Sequence, residues 1–290
     1  MKFQILMPCY NDWVSVFKLL EKIDNEAENI PAEFNVLIVN DGSKDKIPKT
    51  QFKFNKLKSV KVINMKFNQG HTRSNATGIK YLSKKLDFDY FILMDGDGED
   101  RPEEIKLLIE KIMKNKNISV VAKRVKRSEG FVFTFFYNLH KLLTLILTGK
   151  NMNFGHYSCL TKKDMIEISL KKSLWINYSG TVKKFLKKID NIPCIRGKRY
   201  VQPSKMPFNK LILHAFSIWA VFKNQVLIRS IIFSIVSFFF ISLPYAVIFT
   251  FFLTTLTIGA FLSANQESLE KLENSVKNIK NIETLHTTRL

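Results

Sequence analysis

The stretch that most constrains the fold is Tyr90–Glu103, YFILMDGDGEDRPE, in which five apolar residues run straight into a cluster of acids. An apolar run of this length bounded by turn residues reads as a buried strand. Asp95, Asp97, Glu99 and Asp100 then crowd one short loop, where they repel one another unless a cation sits among them. Asp95, Asp97 and Glu99 alternate with other residues, so in an extended turn they can converge on one hard ion. Oxygen-only ligands favour Mg²⁺ or Mn²⁺ over zinc. A cation held by few carboxylates takes its other ligands from water and substrate phosphates, which points to a nucleotide diphosphate partner. The alternative is a solvated acidic loop that caps the next helix. The position favours a site, because ligands of open α/β sheets bind at the carboxyl ends of strands.

The segments around this stretch predict an α/β fold. Lys2–Met7 reads as a strand, broken by Pro8, with Asn11 and Asp12 available to cap a helix from Trp13 to about Ile23. Phe34–Val39 and Val60–Met65 read as further strands, the former ending in the polar turn Asn40-Asp41-Gly42-Ser43. Helical spacing follows Gly70 as far as Leu86, Pro102 opens a helix after the acids, and Ile118–Ala122 is a fifth strand. Strands alternating with helices predict a mainly parallel sheet covered on both faces.

Lys and Arg number 45 against 25 acids, a formal charge of +20, which calls for an anionic partner. The basic residues are spread along the chain and form no zinc-finger, homeodomain or stacking-platform pattern, so nucleic acid is not expected. Cys9, Cys159 and Cys194 are an odd, widely spaced set, read as reduced packing residues of a cytosolic domain. The amino terminus lacks the long apolar core of a signal peptide.

MPCYND, VNDGSKD, NQGH and MDGDGEDRPEE, in that order and spacing, resemble the family 2 glycosyltransferases with the GT-A nucleotide-sugar fold. The resemblance implies that Pro8, Tyr10 and Asp12 lie against the base and ribose of a nucleotide sugar, that Asp41 hydrogen-bonds the base, and that the anomeric centre is inverted. Asp12 stands where the family often has Glu, and Asn40 where it often has Asp. Members acting on polyprenyl phosphates carry Asp-x-Asp-x-Gln; here Glu99 replaces the Gln, and the implied metal set is Asp95, Asp97 and Glu99. Ile192–Met206, IPCIRGKRYVQPSKM, is similar to the segment of those enzymes that carries two arginines and a Ser-Lys before the membrane helices. Arg196, Arg199, Ser204 and Lys205 fall on those positions, and Gln202-Pro203 replaces the usual Gly-Glu. Arg199, Ser204 and Lys205 are thereby expected at the acceptor phosphate or the departing diphosphate, a role suited to a planar fork and a mobile point charge. Arg124 and Arg127, from the basic run after the fifth strand, are expected to clamp phosphate; Asp97, Arg124, Arg199 and Lys205 form the expected catalytic set. Phe154-Gly155-His156-Tyr157 falls where the family has Gly-Asp-Phe, with His156 in place of the acid. His71 fits an Asn-x-Gly-His variant and is read as structural.

The second half is more apolar. FVFTFFYNLHKLLTLILTG, residues 131–149, reads as a helix that meets core or membrane. Residues 1–205 are expected to form the GT-A domain in the cytoplasm and 206–225 an amphipathic helix in the bilayer interface. Ser230 to Ser263 carry no charge and have Pro244 near the middle. Two short spanning helices within 226–263 are expected, with a single tilted helix as the alternative. Lys223, Arg229, Lys271, Lys277 and Lys280 flank the pair, which places both ends on the cytoplasmic side of the membrane. The tail, 264–290, is expected to be an amphipathic helix, since Leu269, Leu272, Val276, Ile279 and Ile282 recur at helical spacing, and to be a contact for homo-oligomers alongside the membrane region. The resemblance implies sugar transfer from a nucleotide diphosphate sugar to a polyprenyl phosphate, undecaprenyl phosphate foremost. The alternative is a saccharide or lipid-linked oligosaccharide acceptor in surface polysaccharide synthesis, which would require a general base.

Overall fold

The computed structural model describes residues 1–48, 53–126, 131–201 and 208–288. All but the first residue of strand β1 (Lys2–Cys9) are buried, as in a central strand covered on both faces. It pairs in parallel with β2 (Glu33–Asn40) on one side and with β4 (Tyr90–Leu93) on the other. β3 (Leu57–Met65) continues the parallel ladder beyond β2. On the other flank β6 (Phe154–Thr161) runs antiparallel to both β4 and β5 (Ser119–Lys126), and β7 (Ile189–Ile195) lies parallel to β5. With β8 (Ile279–Thr287) the described strands make one sheet in the order β7-β5-β6-β4-β1-β2-β3-β8. The sheet is mainly parallel, as expected; β6, β7 and β8 were not foreseen.

Helices α1 (Trp13–Ala27) and α3 (Ile105–Lys114) cover one face, where Val16, Leu20, Leu108 and Ile112 pack on Phe3, Ile5 and Met7. Helices α2 (His71–Leu82), α5 (Lys162–Ser169) and α6 (Tyr178–Phe185) cover the other, where Ile79, Met165 and Val182 pack with Leu6 and Leu93. All three cysteines are free and buried, consistent with packing roles.

A third layer joins α4 (Phe131–Thr148), α7 (Phe208–Val221), α8 (Lys223–Phe240) and α9 (Leu243–Ala264), with Leu147, Trp219, Phe222, Val226, Leu253 and Ala260 at its centre. Chain regularity breaks at Ile241 and Ser242, and Pro244 enters the first turn of α9, where its missing N–H costs no helical bond. Thr257 donates a buried 2.9 Å hydrogen bond to Ser230 across the two helices. Both α8 and the apolar helix starting at Leu243 are long and apolar enough to cross a membrane. A paired hairpin thus replaces the single tilted helix.

The tail departs from the expected amphipathic helix. Helix α10 (Leu269–Asn274) ends after six residues, and the chain then enters β8, antiparallel to β3 from Met65↔Ile279 to Ser59↔Thr287. Without β8 the edge of β3 would present a row of unpaired backbone groups, and pairing them outweighs one more turn or two of a marginal helix. The buried Lys80 of α2 binds Glu273, and Leu272 is fully buried. Of the tail apolar residues, Leu272 is thus used within the chain, whereas Leu269 and Ile282 stay exposed.

Because β8 belongs to the same sheet as β1, the start of α8 and the end of α9 lie on one side of any bilayer the helices cross. Single cysteines introduced as Ser242→Cys and Glu270→Cys, in a chain inserted into sealed vesicles, are expected to react with an impermeant maleimide from opposite sides. Labelling of both from the same side would show that the pair does not cross.

Candidate active site

Loops at the carboxyl ends of β1, β2 and β4 meet along one rim. Asn11 sits at φ 50°; its Oδ1 accepts from the Lys44 and Asp45 amides, and its own amide donates to Ser43 Oγ. Asp12 caps α1, its Oδ1 accepting from the Ser15 amide at 3.4 Å. Before them Tyr10 stays 48% exposed, and Pro8 is buried near the end of β1. Asp41 is 2% exposed, and its two oxygens accept from the Gln69 and Gly70 amides, each at 2.8 Å, which fixes the loop that opens α2.

The four acids after β4 have distinct partners. Asp95 Oδ1 is 2.9 Å from His71 Nε2 at the start of α2. Asp100 accepts from the Asp95 amide at 2.9 Å, and so holds the loop shut instead of capping the next helix. Asp97 Oδ1 accepts from the Glu99 amide, and its Oδ2 pairs with Arg199 at 2.7 Å. Glu99 pairs with Arg196 and, through its other oxygen at 3.4 Å, with Arg199. The backbone of this basic segment also follows the acidic loop: the Gly197 amide donates to Glu99 O and the Tyr200 amide to Asp97 O, at 2.8 and 3.0 Å.

His156, at the start of β6, completes the group. Its ring is 4.8 Å from that of His71 and 5.7 Å from that of Tyr178. One ligand atom from each of His71, Asp95 and His156 lies within 4.8 Å of the others, a spacing at which the three could hold a metal ion. Arg124 of β5 lies against Gly155, where a Cβ would come within 2.9 Å of its guanidinium.

The protonation pattern follows from crowding. Burial raises the Asp95 carboxyl, but the adjacent His71 overrides this and holds it well below the usual range; burial of His71 is likewise outweighed by Asp95, which raises it. Burial and the Asp95 charge push Asp97 up to about 6 and Asp100 up to about 8. Burial, then the charge of His71, depresses His156 to about 3 and keeps it neutral. His214 of α7 shares this neighbourhood: desolvation, then the charges of His140, Arg124 and His71, lower it to about 4.

The sequence model of Glycosyl transferase family 2 matches residues 4–169. The chain belongs to that family. Its fold is GT-A, with a mainly parallel sheet and helices on both faces. The crystal structure of S. aureus TarS residues 1–349 superposes with a TM-score of 0.51 at 13% identity, covering 96% of this chain and 90% of that one. Glucosyl-3-phosphoglycerate synthase from Mycobacterium tuberculosis, solved with Mn²⁺, uridine-diphosphate-glucose and phosphoglyceric acid, gives 0.54 at 12% identity over 78% of this chain and 79% of that one.

Within this family 2 transferase, the structure brings Asp95, Asp97, Glu99, Arg124 and Arg199 together, with Pro8, Tyr10, Asp12 and Asp41 along the adjoining rim. Asp97 pairs with Arg199, and Glu99 with Arg196 and Arg199. Arg127, Ser204 and Lys205 lie outside the described residues. His71, read as structural, and His156, recognised only as a replacement for an acid, both belong to the centre. Their clue was position: one opens the helix after the Asn-Gln-Gly loop, and the other stands where the family places a polar site residue.

Gly98 joins the acidic loop to its cover. It has φ +88°, and a Cβ there would come 2.6 Å from the Tyr200 ring, so only glycine fits without strain. Gly98→Ala is expected to destabilise the protein by about 1–3 kcal/mol, read as a lower midpoint of thermal unfolding in detergent. Adding Tyr200→Ala should recover part of the loss, whereas strictly additive losses would show that the two residues do not oppose each other.

Proposed function

We propose that the protein transfers a sugar from a nucleotide diphosphate sugar to a polyprenyl phosphate, with undecaprenyl phosphate the foremost candidate, at the cytoplasmic face of the membrane. The observation that carries this reading is the junction of an acidic and histidine-lined centre with the membrane-facing helices. Helix α7 packs on α6, whose Tyr178 ring lies 5.7 Å from that of His156, and the exposed Ile212 and Leu213 of α7, with the exposed Leu139, Leu142 and Leu145 of α4, add apolar surface beside the α8–α9 pair. A lipid whose phosphate must reach the carboxyl ends of the strands while its chain stays in hydrocarbon fits this arrangement. The cationic flanks Lys223 and Arg229 suit the cytoplasmic side.

Tyr10 and the Asn11-fixed turn offer an open rim for the nucleoside, and the Asp41-held loop sets the position of His71. Asp95, with the imidazoles beside it, is suited to hold Mn²⁺ or Mg²⁺, a cation that when bound neutralises charge on the departing diphosphate. Arg124 adds fixed positive charge beside the same centre, and Arg196 and Arg199 are close enough to exchange their carboxylate partners for phosphate oxygens. In the reaction an acceptor phosphate oxygen bonds to the anomeric carbon as the bond to the diphosphate oxygen breaks, with inversion. The acceptor is anionic at neutral pH, so no strong general base is needed. Asp100, turned inward onto the Asp95 amide, is not asked to be one.

The test is transfer from a panel of nucleotide sugars to undecaprenyl phosphate by the full chain in detergent, with Mn²⁺ or Mg²⁺. A glycosyl-phosphoryl-lipid product is expected, reduced by about 10²-fold or more in Asp95→Asn. Nucleotide-sugar binding with no lipid product, or transfer to a saccharide hydroxyl instead, would overturn the acceptor assignment.

A further inference from the structure

Residues 170–189 carry six lysines and no acid, and the fold brings this run to the open end of the α8–α9 hairpin. Helix α7 packs on α6, where the Lys184 ammonium donates to the Val221 carbonyl at the end of α7. Lys171 and Lys184 share one ring, their ammonium groups 4.8 and 5.4 Å from the centroid of Phe185. Lys172 pairs at 3.5 Å with Glu267, just beyond α9. Lys223, the first residue of α8, lies 5.7 Å from the ring of Phe261 near the end of α9. The Glu267 side chain is 5% exposed, whereas that of Lys172 stays 59% exposed, and Glu273 of the tail is already engaged by the buried Lys80. Burial lowers the Lys184 ammonium below its ordinary range; Glu267 raises it, and the charges of Lys223 and Lys172 lower it again, as expected where cations outnumber acids.

A basic run is ordinarily a solvated face. Here its level along the hairpin argues for more. α8 runs 18 residues from Lys223 to Phe240, about 27 Å at the helical rise. A bilayer has a hydrocarbon core of about 30 Å, with a polar layer of about 5–8 Å on each side. A helix of this length that crosses the core has nothing to spare, so its first turns, from Lys223 to Arg229, stand in the headgroup layer. Lys171, Lys172 and Lys184 share that level through their contacts with Phe185, Glu267 and Val221.

We propose that Lys171, Lys172, Lys184 and Lys223 form a docking surface for the anionic headgroups of bilayer lipids, which holds the α6 side of the domain against the membrane. The proposal rests on the membrane placement in the proposed function and adds a lipid class bound outside the catalytic centre. Ammonium groups on flexible stems suit a fluid layer of anions better than one fixed ligand, and basic residues beside an anionic leaflet are drawn to it within a Debye length. The exposed Lys187 and Lys188 extend the charge past the end of α6. Because α6 opens at Tyr178, whose ring lies 5.7 Å from that of His156, docking of this helix sets the orientation of the centre to the bilayer.

The experiment is a short pulse of amine acetylation on the full chain in nanodiscs, read residue by residue by mass spectrometry. One set of discs is phosphatidylcholine alone, and the other an equal mixture of phosphatidylcholine and phosphatidylglycerol. Nucleotide sugar and polyprenyl phosphate are left out, so only the bilayer supplies the anion. The potential at an anionic leaflet depletes reactive free amine by about three- to sevenfold, and Lys171, Lys172 and Lys184 should react more slowly by that factor in the mixed discs. Lys106 and Lys114, exposed on α3 at the opposite face of the sheet, should react alike in both. At about 1 M salt, where screening acts beyond about 3 Å, the difference should vanish. Equal rates in the two discs at the three lysines, or the same slowing at Lys106 and Lys114, would overturn the docking surface alone. A chain that stays with neither kind of disc once detergent is removed would overturn the membrane placement, and the surface with it.

Discussion

Four carboxylates at the carboxyl end of a buried strand are the constraint on which the rest of this structure depends. β4 is too apolar to lie anywhere but in the middle of the sheet, and its exit delivers Asp95, Asp97, Glu99 and Asp100 into one crowded loop. Left alone, such a loop would either take up protons or splay into solvent. The fold accommodates each acid differently: Asp95 by an imidazole, Asp97 and Glu99 by guanidinium groups, and Asp100 by a hydrogen bond accepted from the Asp95 amide. The arginines arrive from beyond β7, nearly a hundred residues later, as a segment laid along the acids by backbone hydrogen bonds. The acidic loop and the segment from Arg196 to Tyr200 are therefore held together as one unit.

The same economy governs the apolar helical end. The hairpin is fastened on both sides to the GT-A domain, by α7 packing on α6 before it and by α10 and β8 after it. The buried Lys80 is informative, because an unpaired ammonium ion in that position would be costly. Its partner Glu273 comes from the returning tail, and a second contact, to the Ser169 carbonyl at 3.4 Å, comes from α5. The tail is thus part of the folded domain's charge balance, and the return strand extends the sheet by one antiparallel member.

Much of this was legible from local pattern. The continuous apolar runs of β1, β2 and β4 carry the signature of strands buried on both faces, and the ordered turn motifs behind them located the rim. What escaped depended on distant partners. β7, with its Pro193 and charged neighbours, looks unlike a strand until it meets β5, and β8 carries apolar residues at a spacing that suits a helix equally well. In the site, the acids were legible as a cation-binding pattern, but their pairing was not, since Arg196 and Arg199 could have faced phosphate as readily as carboxylate. Asp41 shows the same limit. A conspicuous acid after a strand suggests ligand contact, and only the fold reveals that Gln69 and Gly70 use both its oxygens.

The histidines show how position and chemistry combine. An imidazole at the start of a helix is ordinarily disfavoured as a cation by the positive end of the dipole, yet His71 is raised because the Asp95 charge dominates at 2.9 Å. His156, one strand away from that acid's own, is instead held neutral by burial and by the charge of His71. Two adjacent imidazoles are thus shifted in opposite directions for opposite electrostatic reasons. The lowered one keeps a ring-nitrogen lone pair at neutral pH, and the raised one lies against a carboxylate that would otherwise face three other acids unaided. Neither shift requires an unusual backbone around the histidines. Each follows from the distance to Asp95, and that distance is set by the register of β4 against β6 and by the loop that Asp41 holds.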